Sequence, residues 1–147
     1  MKVKNTNSRY IKLLLGVLLY NLVRRSKLNM TLVAPTVDVR SRIPKSVIQE
    51  LVARIVEKFQ PQRIILFGSY ASDTPRPESD VDLLVVMDTP MRETQQALQI
   101  RQYVNPLFGV DILVYQPSRL EERLRLGDSF LQEITSKGIV VYESPDT

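Results

Sequence analysis

Two residue types are missing from this 147-residue chain: it contains neither cysteine nor histidine. Without cysteine there are no disulfides, thiol nucleophiles, iron-sulfur clusters or thiolate zinc sites. Without histidine there is no imidazole base, no Ser-His-Asp triad and no imidazole metal ligand. Any catalysis must therefore use carboxylates, hydroxyls, Lys or Arg, or a hard metal ion held by oxygen. The lack of a disulfide staple suits a reducing cytoplasm, which is the expected location. Apolar residues at 44% and charged residues at 24% predict a real core rather than a disordered chain. The length suits one domain with a tail and leaves little room for a second substrate-binding domain.

The formal charge is +4 and the isoelectric point near 9.5. A basic balance can indicate a nucleic-acid partner. Here, however, Lys2, Lys4, Arg9, Lys12, Arg24, Arg25, Lys27, Arg40, Arg42 and Lys45 crowd the start, and the remainder is close to balanced. The sequence thus gives a basic tail beside an ordinary domain and no direct evidence for nucleic acid.

Residues 1–29 differ from everything after them. The apolar run Leu13 to Val23 is about 11 residues long, closed by Lys12 and by Arg24-Arg25, whereas a membrane span needs about 20. No small-x-small cleavage site follows it, which argues against a secretory signal. A dispensable extension preceding a natural start at Met30 and a surface or partner helix remain open, with only a weak signal for membrane contact at residues 11–27. Residues 30–42, punctuated by Pro35 and followed by Pro44, read as a linker. The domain is expected over 43–143, with 144–147 a tail.

Within that domain, Val47, Ile48, Leu51, Val52, Ile55, Val56 and Phe59 recur at three and four, predicting an amphipathic helix over about 44–59. The run Ile64 to Phe67 has strand length and ends at Gly68. Val81 to Met87 and Val110 to Tyr115 match it, with Ile139 to Tyr142 a fourth candidate. Helical stretches fall at about 92–104 and 118–136. The second of these opens on a capping-box spacing at Ser118 to Glu121, is interrupted at Gly127-Asp128 and ends at Gly138. This order predicts an α/β (α+β) fold, one sheet with helices packed on it.

Chemistry concentrates at two places in this pattern. Asp80 and Asp82 open the second strand two residues apart, so both carboxylates point to the same side. Like charges this close repel, and a divalent cation neutralises them economically. Oxygen-only ligands with open positions suit Mg2+. Asp111 lies inside another apolar strand and can join them if the two strands are neighbours, or it can sit at the solvent edge. Before the acids, Phe67-Gly68-Ser69-Tyr70-Ala71 ends a strand in a turn. There Gly68 permits close backbone approach to a ligand, and Ser69 offers a hydroxyl and a backbone N–H. Pro75 and Pro77 hold an exposed connection between the two motifs.

Gly68-Ser69, ten intervening residues, then Asp80-x-Asp82, with Val-Asp111-Ile-Leu-Val later, resembles the signature of the minimal nucleotidyltransferases of the DNA polymerase beta superfamily. The resemblance covers about residues 43–143. It implies a mixed β-sheet flanked by helices, the nucleotidyltransferase fold. It also implies two Mg2+ ions on Asp80 and Asp82, with Asp111 as a third catalytic and metal-binding acid that helps activate the attacking hydroxyl. Gly68 and Ser69 would hold the triphosphate of an NTP substrate such as ATP. Many stand-alone relatives resemble antitoxins that transfer AMP to a helical HEPN-type nuclease toxin, which implies a protein partner. A binding module with lost activity and a small-molecule nucleotidyltransferase are the alternatives. One departure favours weakened activity: many relatives carry Arg-Gly after Gly-Ser-Tyr-Ala, whereas this chain has Ser72-Asp73, with Arg76 near enough in sequence to compensate.

Overall fold

The computed structural model describes residues 42–145. The extension read at 1–29, the linker up to residue 41 and the last two residues of the tail lie outside the described residues. Helix α1 (Lys45–Phe59) follows Pro44 and buries Ile48, Leu51, Val52 and Ile55. Those positions are spaced three and four apart, the stripe that a 3.6-residue turn places on one face. The helix stops at Gln60, whose left-handed φ of 48° lets its N–H reach the Val56 carbonyl.

Strand β1 (Arg63–Phe67), the one-turn α2 (Gly68–Ala71), β2 (Val81–Val86), α3 (Glu93–Val104), β3 (Val110–Tyr115), α4 (Pro117–Arg125), α5 (Ser129–Lys137) and β4 (Ile139–Glu143) follow in order. The sheet order is β3-β2-β1-β4. β1 runs antiparallel to both of its neighbours, while β2 and β3 are parallel. This mixed sheet flanked by helices is the expected fold class. The parallel β2–β3 pair requires a crossover connection, which α3 supplies.

Alternation along the strands divides the core. On one face Ile64, Leu66, Val81, Leu83, Val85, Val110 and Val114 pack with α1 and α3. On the other, Ile65, Leu84 and Val86 pack against Leu120 of α4 and Leu131 and Ile134 of α5. Each fully buried Leu, Ile or Val contributes about 1.5–3 kcal/mol by leaving water, so both helical layers are firmly held to the sheet.

The second helical stretch is two helices, as Gly127-Asp128 foretold, but the capping box at Ser118 does not form. Gln116 is the N-cap and Pro117 the first helical residue, leaving Ser118 inside the turn. Two constraints set that boundary: proline's fixed φ favours the first helical position, and the Gln116 N–H donates to Glu93 Oε1 at 2.9 Å. The capping side chain belongs instead to Asp128, which accepts from the backbone N–H groups of Phe130 and Leu131.

Candidate active site

Three strands present one residue each to a single row: Phe67 of β1 pairs with Asp82 of β2, and Asp82 pairs with Asp111 of β3. Residues paired this way share a face. Asp80, two positions before Asp82, shares it as well, on the side packed by α4 and α5. The Val81 N–H donates to the Gly109 carbonyl at 3.0 Å and ties the approach to β3 against the start of β2. The structure therefore places the three predicted acids at one end of two adjacent strands, with Gly68 at the end of the third.

The two positions left open for Asp111 coincide: its strand neighbours β2, and it also lies at the solvent edge. It stands on the edge strand and is exposed, as is Asp80, while Asp82 is half-buried. An edge position leaves the carboxylate in water, so the cost of burying an acid in an apolar strand falls on Asp82 alone. Burial first, then the charges of Asp111 and Asp80, push the Asp82 carboxyl up from an ordinary 3.8 to about 6. The three groups thus interact electrostatically.

Two glycines shape the surroundings of the acid pair. A Cβ at Gly68 would come within 2.2 Å of Asp82 Oδ2, and a Cβ at Gly109 within 1.6 Å of Asp80 Oδ1. Gly68 also has φ +68°, a left-handed conformation natural to glycine. Since Gly68 follows β1 and Gly109 precedes β3, the two carboxylates lean toward opposite neighbours of β2. That divergence is what repulsion between like charges favours. It also explains why no three acids among the described residues converge into a ready cage for an ion. The donor set nonetheless fits a hard divalent cation: all oxygen, with a raised carboxyl that a positive charge would relieve and space kept clear beside both acids. Gly109 was not singled out in the sequence. The signal available was a glycine two residues ahead of a strand acid.

Ser69 lies half-buried in α2, and its carbonyl accepts from the Thr74 N–H at 3.0 Å. The departure at Ser72-Asp73 has a local explanation. The Ser72 hydroxyl reaches the Gly68 carbonyl at 3.2 Å and Thr74 Oγ1 at 3.0 Å. Asp73 adopts φ 60°, which aspartate tolerates better than most residues. Its carboxylate pairs with Arg42, whose hydrogen bond and charge hold it below the usual range. Arg76, the suggested replacement for the missing arginine, is exposed in the loop and forms no ion pair with the acids among the described residues.

Beside Gly68 opens a cleft of about 400 Å³ between α2 and α5. Its walls include Phe67, Ala71, Ser72, Phe130 and Ile134, with Glu133 and Lys137. Nothing in the sequence pointed to it, because two segments far apart in the chain, 67–72 and 130–138, build it.

The sequence profile of the nucleotidyltransferase domain family matches residues 48–141. No curated protein sequence matches the chain significantly. Among solved structures, a protein of Sulfolobus solfataricus described as a candidate nucleotidyltransferase is 18% identical, with a TM-score of 0.46 over 64% of this chain and 75% of its own. A toxin-antitoxin with AMP-PNP is also 18% identical, with a TM-score of 0.44 over 66% of this chain and 74% of that one. A mutant of the toxin-antitoxin MntA-HpeT is 17% identical, with a TM-score of 0.43 over 66% and 73%. Because the family profile runs from α1 into β4 and takes in Gly68, Ser69 and all three acids, the chain belongs to the nucleotidyltransferase domain family.

Proposed function

We propose that the chain is a Mg2+-dependent nucleotidyltransferase that moves AMP from ATP to a hydroxyl of a macromolecular acceptor, a partner toxin protein, with the cytoplasm as its setting. The observation that carries this reading is the placement of Asp80, Asp82 and Asp111 on one face of the sheet at the same end of β2 and β3, two of them against glycines that leave them room. Among the described residues no helix is long and apolar enough to cross a membrane.

Asp80 and Asp82, joined by Asp111, would hold the metal. When bound, it neutralises the triphosphate and stabilises the attacking and departing oxygens. Gly68 and Ser69 lie where the phosphates enter. The acceptor oxygen forms a bond to the α-phosphorus while the bond from that phosphorus to the α,β-bridging oxygen breaks. Pyrophosphate leaves with the electron pair, and the hydroxyl proton passes to the exposed Asp111 carboxylate or to water. The open, edge-strand position of Asp111 favours a large acceptor, because that side of the sheet is accessible to a protein surface. The toxin as acceptor follows from the sequence resemblance.

A binding module that neutralises its partner by covering it is the second reading, favoured by Ser72, which stands where many relatives carry the arginine, and by Asp73 beside it, whose carboxylate is paired with Arg42. Incubation with the protein encoded beside this chain, labelled ATP and Mg2+, followed by intact mass of both proteins, separates the two. The transferase gains support from one or more AMP units on the partner, lost in Asp80→Asn, Asp82→Asn. A stable complex with no mass gain would replace it with the binding module.

A further inference from the structure

We propose that the cleft beside Gly68 receives the nucleoside end of the bound nucleotide, with the Phe130 ring against the base. This inference rests on the nucleotide-binding reading above. Phe67 stands opposite Asp82 in the sheet and also lines the cleft, and Gly68, in contact range of the Asp82 carboxylate, forms its edge. The cleft therefore adjoins the acid end of the sheet. A nucleotide with its phosphates at the acids reaches it without leaving this end of the sheet.

Charge decides which end of the nucleotide enters. The walls offer Phe67, Ala71, Phe130 and Ile134, whose side chains carry no donor for a phosphate oxygen. The single lysine of the lining, Lys137, is paired with Glu133 at 2.9 Å, so the two cancel. The Ser72 hydroxyl is within reach of the Gly68 and Ser69 carbonyls at 3.2 and 3.3 Å and is satisfied there. A polyphosphate would be stripped of water with almost nothing in return, whereas an uncharged aromatic base with its ribose matches apolar walls. About 400 Å³ lies within the range of small-molecule sites, roughly 300–1,000 Å³.

Phe130 is suited to a stacking role. It meets Phe67 edge-on, with ring centroids 6.1 Å apart and an interplanar angle of 88°, and remains 53% exposed. Base stacking on an aromatic ring accounts for a large apolar side chain left half in water.

The test compares binding of ATP and of inorganic tripolyphosphate, each with Mg2+, to the full chain by calorimetry. Phe130→Ala should weaken ATP about tenfold, the order expected for one lost base stack, and leave tripolyphosphate within about twofold. Phe130→Leu, which keeps bulk but loses the ring, should show the same selective loss, and Phe130→Tyr should bind ATP like the parent. Unchanged ATP binding in the Ala and Leu variants overturns the proposal, as does an equal loss of both ligands. Loss of tripolyphosphate binding in Lys137→Met would assign the cleft to phosphates instead. If the parent chain binds neither ligand, the nucleotidyltransferase reading fails together with this one. If it binds both but Phe130 is silent, only this one fails.

Discussion

The Asp80 carboxylate fills the space that a side chain at residue 109 would need: a Cβ there would lie 1.6 Å from Asp80 Oδ1 and 2.5 Å from its Cγ. The obstructing atoms are the far end of an exposed side chain, which can swing away at little cost to folding. Gly109→Ala should therefore leave thermal stability nearly unchanged while cutting nucleotide transfer at least tenfold, because the displaced carboxylate is one of the proposed metal-binding acids. Gly68→Ala provides the contrast. Its Cβ would strike Asp82 Oδ2 at 2.2 Å and would also impose a left-handed φ on alanine, costing about 1–2 kcal/mol from strain alone. Melting curves and initial rates on both variants check the pair. A Gly109→Ala protein of full activity would mean that Asp80 has no fixed place in the chemistry.

Asp82 gives stability a pH signature. Its folded carboxyl is raised to about 6 from 3.8, first by burial and then by Asp111 and Asp80, so between these values the folded state holds a proton that the unfolded state has released. Stability then falls as pH rises through about 6, since folding must keep a charged, crowded carboxylate. Asp82→Asn lacks this penalty. The variant should be more stable than the parent near pH 7 in metal-free buffer, with the gap closing toward pH 4. Denaturant midpoints across that range report it, and carboxyls shared by both proteins cancel in the difference. A gap that does not change with pH would show that Asp82 titrates normally.

Periodicity made the elements legible. The spacing of Ile48, Leu51, Val52 and Ile55 gave α1, and the apolar runs at 64–67, 81–87 and 110–115 gave three strands within a residue. Each depends only on residues near one another in the chain. Strand order does not, and it decides the solvation of the acids: Asp111 is exposed because β3 is the sheet edge, and Asp82 half-buried because β2 is interior. The pairing of Asp80 with Gly109 and the cleft that joins Phe67 to Phe130 also arise from contacts between distant segments. At Ser118 a correct local signal lost to a tertiary one, the hold of Glu93 on the Gln116 N–H.

That misplaced cap leads to a stability comparison. Asp128 Oδ1 accepts from the N–H groups of Phe130 and Leu131, both at 3.1 Å, and Oδ2 accepts from Arg123 Nε at 3.0 Å. These interactions start α5, which carries Leu131 and Ile134 into the second core cluster. Asp128→Ala should lower the urea midpoint clearly, with Asp128→Ser recovering part of the loss through its own hydroxyl cap. Ser118→Ala, inside α4 and exposed, should stay within about 0.5 kcal/mol of the parent. Equal effects at the two positions would contradict the cap assignment.

Repulsion among the acids makes metal binding visible without any acceptor. In metal-free buffer the parent chain carries the Asp80, Asp82 and Asp111 charges together, and the raised Asp82 carboxyl records the strain. Added Mg2+ should stabilise the fold by mass action, about 2.7 kcal/mol at a hundredfold excess over the dissociation constant. Asp80→Asn, Asp82→Asn removes both the repulsion and the ligands. It should start out more stable than the parent and show no response to Mg2+, so that the two melting temperatures converge or cross as the metal is raised. Asp111→Asn should respond to a smaller degree, because its edge carboxylate joins a pair already able to bind. A double variant that gains as much from Mg2+ as the parent would place the ion elsewhere and remove the basis for a metal-dependent transferase at this end of the sheet.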